Sequence, residues 1–533
     1  VIRLEEEVTR EDSTDPSSPV TSILRRTITN GDTGTELHDV AGRYIELTSP
    51  SGRTSLIHYN EQGQVVWEET GGLLTTYYEY NTESQLTAVV QGTGTNERRS
   101  TYQYDSRGNV SLGQATGGRD RSYQYDVLGR ITQEVLPLGE TLSYQYNAAG
   151  NLSEVMLPSG ATHRFTHDDA GKVLTETWPK VNGSTAIKVR SYNSEGAVQA
   201  ITFPSGEQID YQYDTEQRLE RVVSATDDEV DYDYLPDTGQ LYRLSTASGL
   251  VNELTLDGEL TDRERVSWAD GFEVIWEPTI DNQGRVTDSC LTLTGHSGSH
   301  CQTFEFDADG LITDVSGLSI THDEAGLLTS VALAGTSSNL TFNGFGEVTR
   351  FDHNWGMNSA YVNLVRSPTG LIEALNGNLN ATGSTQSIEV THDQSGRLTG
   401  AEVNGQLTTW DYDANGNRTH ENGVAVASFD ARDRLVQYKG TQYSYDANGH
   451  LTTRTAGADV TQFDYDLMSN LRSAITPAGD QIDYEIDGRN RRVGKLINGV
   501  RAYRLVYQDQ LAPMAMVDAN GETSLFYYGA GTT

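Results

Sequence analysis

A chain of 533 residues exceeds the usual size of one core, and hydrophobic residues at 36% are too few for several large two-sided ones. The formal charge of −37, from 75 acidic against 38 basic side chains, argues against a polyanion-binding role and makes nucleic acid and anionic membranes poor partners, because phosphate contacts need clustered Lys and Arg. The acidity reads as solubility. No apolar run approaches the roughly 18 residues of a membrane span. The leading Val1-Ile2-Arg3-Leu4-Glu5-Glu6-Glu7 has neither an initiator Met nor signal-peptide character, so the sequence reads as an internal piece of a longer protein.

Taken in chain order, residues 1–30 read as a leading strand and a loop around Asp15-Pro16-Ser17-Ser18-Pro19. Residues 31–244 carry one dominant repeat. Its plainest copies are Tyr104-Asp105-Ser106-Arg107-Gly108-Asn109-Val110, Tyr125-Asp126-Val127-Leu128-Gly129-Arg130-Ile131 and Tyr146-Asn147-Ala148-Ala149-Gly150-Asn151-Leu152, at a 21-residue interval. The same phase runs back through Tyr80-Asn81 and Tyr59-Asn60 to His38-Asp39, and forward through His167-Asp168, Tyr192-Asn193, Tyr213-Asp214 and Tyr234.

Residues 245–280, with Trp268 and Trp276, stretch the spacing between Tyr234 and Ile280 to 46 and read as an irregular insertion or cap. From 281 to 533 the copies diverge. They include Phe306-Asp307-Ala308-Asp309-Gly310, His322-Asp323, His392-Asp393, Tyr412-Asp413-Ala414-Asn415-Gly416, Tyr445-Asp446-Ala447-Asn448-Gly449 and Tyr465-Asp466, spaced 16 to 26.

Each unit has a mechanical reading. Tyr-x-Tyr alternates as a strand with both rings on one face. The following Asp or Asn starts a turn, its side chain reaching backbone amides two residues on, and the glycine three residues after it takes the positive φ that closes the loop. The next segment begins a return strand, and a second turn such as Pro158-Ser159-Gly160 precedes the next tyrosine strand. Two strands in 21 residues leave no room for a helix. The expected fold is all-β, an array of antiparallel hairpins. A propeller of four-stranded blades is the structural rival; nothing alternates with the doubled period, and Trp-Asp and kelch signatures are absent.

Candidate chemistry outside the repeat is sparse. Cys290 and Cys301 would lie opposite each other across a hairpin, as a disulfide or as two buried thiols. His296 and His300 lie near them, but the spacing fits no standard zinc pattern. Asp32-Thr33-Gly34 and Asp237-Thr238-Gly239 spell the aspartic-protease triplet twice, yet turn chemistry explains both. Asp307-Ala308-Asp309-Gly310 begins like a calcium loop and lacks the later bidentate Glu, position twelve being Leu318. His38, His167, His322 and His392 each occupy the tyrosine slot. The tryptophans and tyrosines could line a sugar or peptide groove, but cross-strand packing accounts for most of them. No nucleophile elbow, phosphate loop, zinc-protease helix or cofactor motif occurs.

The unit resembles the YD or Rhs (rearrangement hot spot) repeat, a family that includes bacterial Rhs polymorphic toxins, the C component of insecticidal toxin complexes and the teneurins. The resemblance runs from about His38 to Tyr528. The segment from Asp487-Gly488-Arg489-Asn490-Arg491-Arg492-Val493 through Tyr507 to Phe526-Tyr527-Tyr528-Gly529 is similar to the family's terminal repeats. The resemblance implies a sheet spiralling into a hollow cocoon, which in toxin members encloses a variable C-terminal domain. The Asp-Pro-x-Gly segment of self-cleaving members is absent; the only Asp-Pro is Asp15-Pro16. The expectation is therefore a non-enzymatic shell, without a cofactor, from a secreted or surface-exposed bacterial protein. Its partner would be its own C-terminal domain or a delivery component. The alternative is a teneurin-like module binding glycan or protein.

Overall fold

A computed structural model describes residues 2–29, 31–224, 229–295, 298–378, 385–466, 468–507 and 509–526. Among them are fifty β-strands and one three-residue 3-10 turn, Gly94–Asn96. No helix is long and apolar enough to cross a membrane.

The chain divides into two compact units, Val1–Thr141 with Thr303–Trp410, and Leu142–Gln302 with Asp411–Tyr527. In the first, strands from Ile2–Arg10 to Ile131–Val135 pair antiparallel with their sequence neighbours, and those from Ser299–Phe306 to Gln406–Tyr412 do the same. In the second, successive pairing runs from Thr141–Tyr146 to Val286–Leu293 and from Ala427–Phe429 to Thr523–Leu525. Sequential pairing follows from short turns, since a connection of four to six residues returns a strand only beside the one it left.

Two kinds of turn alternate. At one, the register shifts by a bulge, so that Tyr125 faces Ile131, Tyr146 faces Leu152 and Tyr445 faces Leu451. At the other, several connections are two-residue turns with both residues at positive φ, such as Asn404-Gly405, Asn422-Gly423 and Asn498-Gly499. Asparagine before glycine is the pair that best tolerates this backbone.

Residues 245–280 are regular strands here. Val251–Asp257 pairs with Leu260–Ser267, and Leu260–Ser267 with Glu273–Ile280. The long spacing arises because the tight Gly258-Glu259 turn stands where a tyrosine-aspartate turn would fall.

Most strand residues are half-buried. A larger buried cluster lies in the second unit, where Leu250, Val266, Trp268, Val274, Leu291 and Leu293 pack with Val493, Val506, Met514, Ala515 and Val517. At roughly 25 cal/mol per Å² of apolar surface removed from water, this is the densest stabilising patch in that unit.

Candidate functional site

The repeated turn is the element that recurs through both units. In the Asp105 copy, Oδ1 accepts from the backbone N–H of Arg107 at 2.8 Å and of Asn109 at 3.0 Å, while Oδ2 accepts from the Asn109 side-chain amide at 3.0 Å. Gly108 closes the loop at φ +85°, its N–H donating to the Asp105 carbonyl at 3.0 Å. The copies at Asp126 with Gly129, Asn147 with Gly150, Asp413 with Gly416 and Asp446 with Gly449 repeat the backbone pattern. One carboxylate thus satisfies donors that a bulged hairpin would otherwise leave unpaired.

The residue after the glycine completes the turn through Oδ2. It is Arg130 for Asp126, with Nε at 2.7 Å, Asn417 for Asp413 at 3.1 Å, and His450 for Asp446 at 3.0 Å. The same cation then covers the next repeat's ring: Arg218 lies 4.6 Å from the Tyr234 centroid, and Arg434 lies 4.7 Å from that of Tyr445.

The phenol hydroxyls supply a link that alternation alone does not reveal. Tyr104 donates to the Leu86 carbonyl at 2.6 Å, Tyr125 to Val110 at 2.8 Å, Tyr213 to Val198 at 2.8 Å and Tyr445 to Leu435 at 2.8 Å. Each acceptor begins the return strand of the preceding repeat, so every such tyrosine ties one hairpin tip to the last. Phenylalanine would keep the packing and lose this bond.

Further copies of the turn are disguised at their key positions. In Phe429-Asp430-Ala431-Arg432-Asp433-Arg434, the glycine slot holds Asp433 at φ +56°, and Asp430 still accepts from Arg434 Nε at 2.8 Å. Asn343 and Ser367 fill the aspartate slot elsewhere. The signal was the apolar residue six positions after the strand end, Leu435, Val348 or Ile372.

The other candidates resolve individually. Cys290 and Cys301 are bonded to each other. His296 lies outside the described residues, and no group of three metal-ligating side chains occurs among those described. Asp307 and Asp309 are held by Arg53, whose guanidinium lies 2.8 Å from Asp307, and Ser49 donates to Asp309 at 2.7 Å. Asp32-Thr33-Gly34 opens a strand paired along its length, and Asp237 and Thr238 sit exposed on a turn. His167, His322 and His392 end their strands at the same bulge as the tyrosines. Tyr527, Tyr528 and Gly529 lie outside the described residues.

The second unit also buries an ion cluster that joins distant repeats. The side chains of Asp487 and Arg491 are 0% and 2% exposed, and that of Glu264 is 5% exposed. Arg491 bonds Asp487 at 2.8 Å and lies 3.5 Å from Glu264, which also faces Arg489 at 3.4 Å and the Asn252 amide at 3.3 Å.

The turns fix an acid limit. The Arg130 guanidinium, aided by backbone N–H groups, holds the Asp126 carboxyl below its ordinary value of 3.8, and Arg98 holds Glu347 below 4.5. Depressed folded values mean that stability is fully present above the unfolded values and is lost as pH falls through the folded ones. Far-UV circular dichroism should therefore stay flat from pH 7 to about pH 4 and collapse below it. A transition centred near pH 6 would contradict this account of the turns.

Strand content, sequential pairing and the tyrosine-aspartate turn together define an array of antiparallel hairpins. A model of the teneurin YD-shell matches residues 35–529. The chain belongs to the teneurin YD-shell family. Among solved structures, the Photorhabdus luminescens Tc holotoxin pore with a mutated TccC3 component is 13% identical, with a TM-score of 0.53, covering 97% of this chain and 32% of that one. A TcdB2-TccC3-TEV crystal structure is 14% identical, with a TM-score of 0.44, covering 96% and 33%. The chain thus spans about a third of the length of the structures it resembles. A search of curated proteins finds no match.

Proposed function

We infer that this chain is the wall of a bacterial YD-repeat shell, exported or displayed at the surface, that encloses a toxin-like domain of the same polypeptide until delivery. The observation that carries this reading is the chain of tyrosine bonds from hairpin tip to hairpin tip. A ladder tied at successive tips resists local opening better than independent hairpins, which is what containment requires. The Tc holotoxin likeness in fold supports the reading. Isolation is achieved by geometry, with no chemistry asked of the wall itself.

The family's name favours a second reading, a surface module that binds glycan or protein through its outward strands. One experiment separates them. A small reporter domain fused after Thr533 should survive trypsin while the wall is folded, and become sensitive once the wall is opened in urea. Immediate digestion of the reporter with the wall intact would overturn containment and leave display.

A further inference from the structure

The repeat geometry places the residue in the glycine slot of one turn beside the residue following that slot in the preceding turn. Asn417 Nδ2 meets Asp433 Oδ1 at 2.7 Å, Gln64 Nε2 meets the Ser84 carbonyl at 3.1 Å, and a Cβ on Gly239 would lie 3.2 Å from Arg218. At one pair of turns these slots hold His450 and Ser469. His450 Nε2 lies 2.9 Å from Ser469 Oγ, and its Nδ1 lies 3.0 Å from Asp446 Oδ2. The imidazole is stacked on Tyr465, ring centroids 4.9 Å apart at 18°. Ser469 is exposed, and its backbone is at φ +71°, a left-handed conformation that favours glycine. Strain of this kind, held by the surrounding fold, marks positions worth testing for function.

We propose that Asp446, His450 and Ser469 form a nucleophilic triad that accepts acyl or phosphonyl groups from activated neutral esters. With its proton on Nδ1 donated to Asp446, His450 accepts the Ser469 hydroxyl proton at Nε2 as Oγ bonds to the ester carbonyl carbon. The alkoxide leaves with that proton as the ester C–O bond breaks, and water, deprotonated by the same imidazole, releases the acid and restores the serine. The three groups and their order match the requirement for a nucleophile, a base and a group that fixes the base's tautomer. Nearby N–H groups are already committed, Ser469 N to the Asp466 carbonyl at 3.0 Å and Asn470 N to Asp466 Oδ1 at 2.8 Å. No preorganised oxyanion donor is therefore supplied by this turn, which confines the chemistry to reactive acyl groups and makes turnover slow. The acidity of the setting, with Asp446 and Asp466 beside the serine, disfavours anionic substrates.

The test is covalent labelling of the intact chain with a fluorophosphonate probe, located by peptide mass mapping. Ser84 is the internal control. It is also exposed, in the same slot at φ +65°, but Gln64 stands beside it in place of histidine. Ser469 should label at least about 100-fold faster than Ser84. His450→Asn should remove that advantage, and Ser469→Gly should abolish the adduct. Asp446→Asn should slow labelling. Each replacement is a residue that other turns of this chain carry in the same slot, so all three variants should fold, with melting curves to verify it. Labelling of Ser469 no faster than Ser84, labelling unchanged by His450→Asn, or an adduct on a different residue would overturn the proposal.

Discussion

Arg491→Ala is expected to cost about 3–5 kcal/mol in urea unfolding, the range for removing one partner of a buried ion pair. Arg491 is nearly inaccessible, and it spends its guanidinium on Asp487 at 2.8 Å, Glu264 at 3.5 Å and the Asp509 carbonyl at 3.2 Å. Its loss leaves the Asp487 and Glu264 carboxylates buried, with Arg489, at 3.4 Å from Glu264, as the remaining countercharge among the described residues. Desolvated charge without its partner costs far more than the pair contributes when whole. The double variant with Glu264→Ala should therefore lose clearly less than the sum of the two single changes, by about 1 kcal/mol or more. Additive losses, or a single-variant loss near zero, would mean that the cluster is solvated and that the two repeats are not clamped here.

Gly377→Ala should be nearly as damaging in the first unit, for a different reason. Gly377 lies within the strand Ile372–Asn378, opposite Val362, and a Cβ there would sit 2.0 Å from the Tyr361 carbonyl oxygen and 2.9 Å from the Val362 Cα. Both obstacles are backbone of the neighbouring strand, so relief requires the strands to separate. A loss of about 3 kcal/mol or more follows, with faster hydrogen exchange along Asn358–Arg366. Gly113→Ala supplies the contrast. That glycine also sits in a strand, but its Cβ would meet nothing within 4 Å, so the change should be neutral or stabilise by about 0.5–1 kcal/mol. Equal effects at the two positions would refute the steric argument.

What could be read before folding is whatever the chain settles within a few residues of itself. Tyr125-Asp126-Val127-Leu128-Gly129-Arg130 states its own turn, because the carboxylate, the amides it caps and the glycine that closes the loop lie within five positions. Repeated at a fixed interval, that local instruction dictates antiparallel hairpins and an all-β array. The pattern is hidden where a slot holds an unexpected residue that the backbone tolerates, as with Asp433 at φ +56°.

Contacts between remote repeats were decided elsewhere. Nothing in Asp307-Ala308-Asp309 announces that Arg53 will occupy both carboxylates, and nothing in the 487–493 segment announces Glu264. The tyrosine hydroxyls likewise find carbonyls 10 to 19 residues away only once neighbouring hairpins are aligned. Such pairings depend on the small twist that each strand adds and the ladder accumulates. No single repeat encodes that sum, so the sequence determined the brick while the tertiary structure chose which bricks meet.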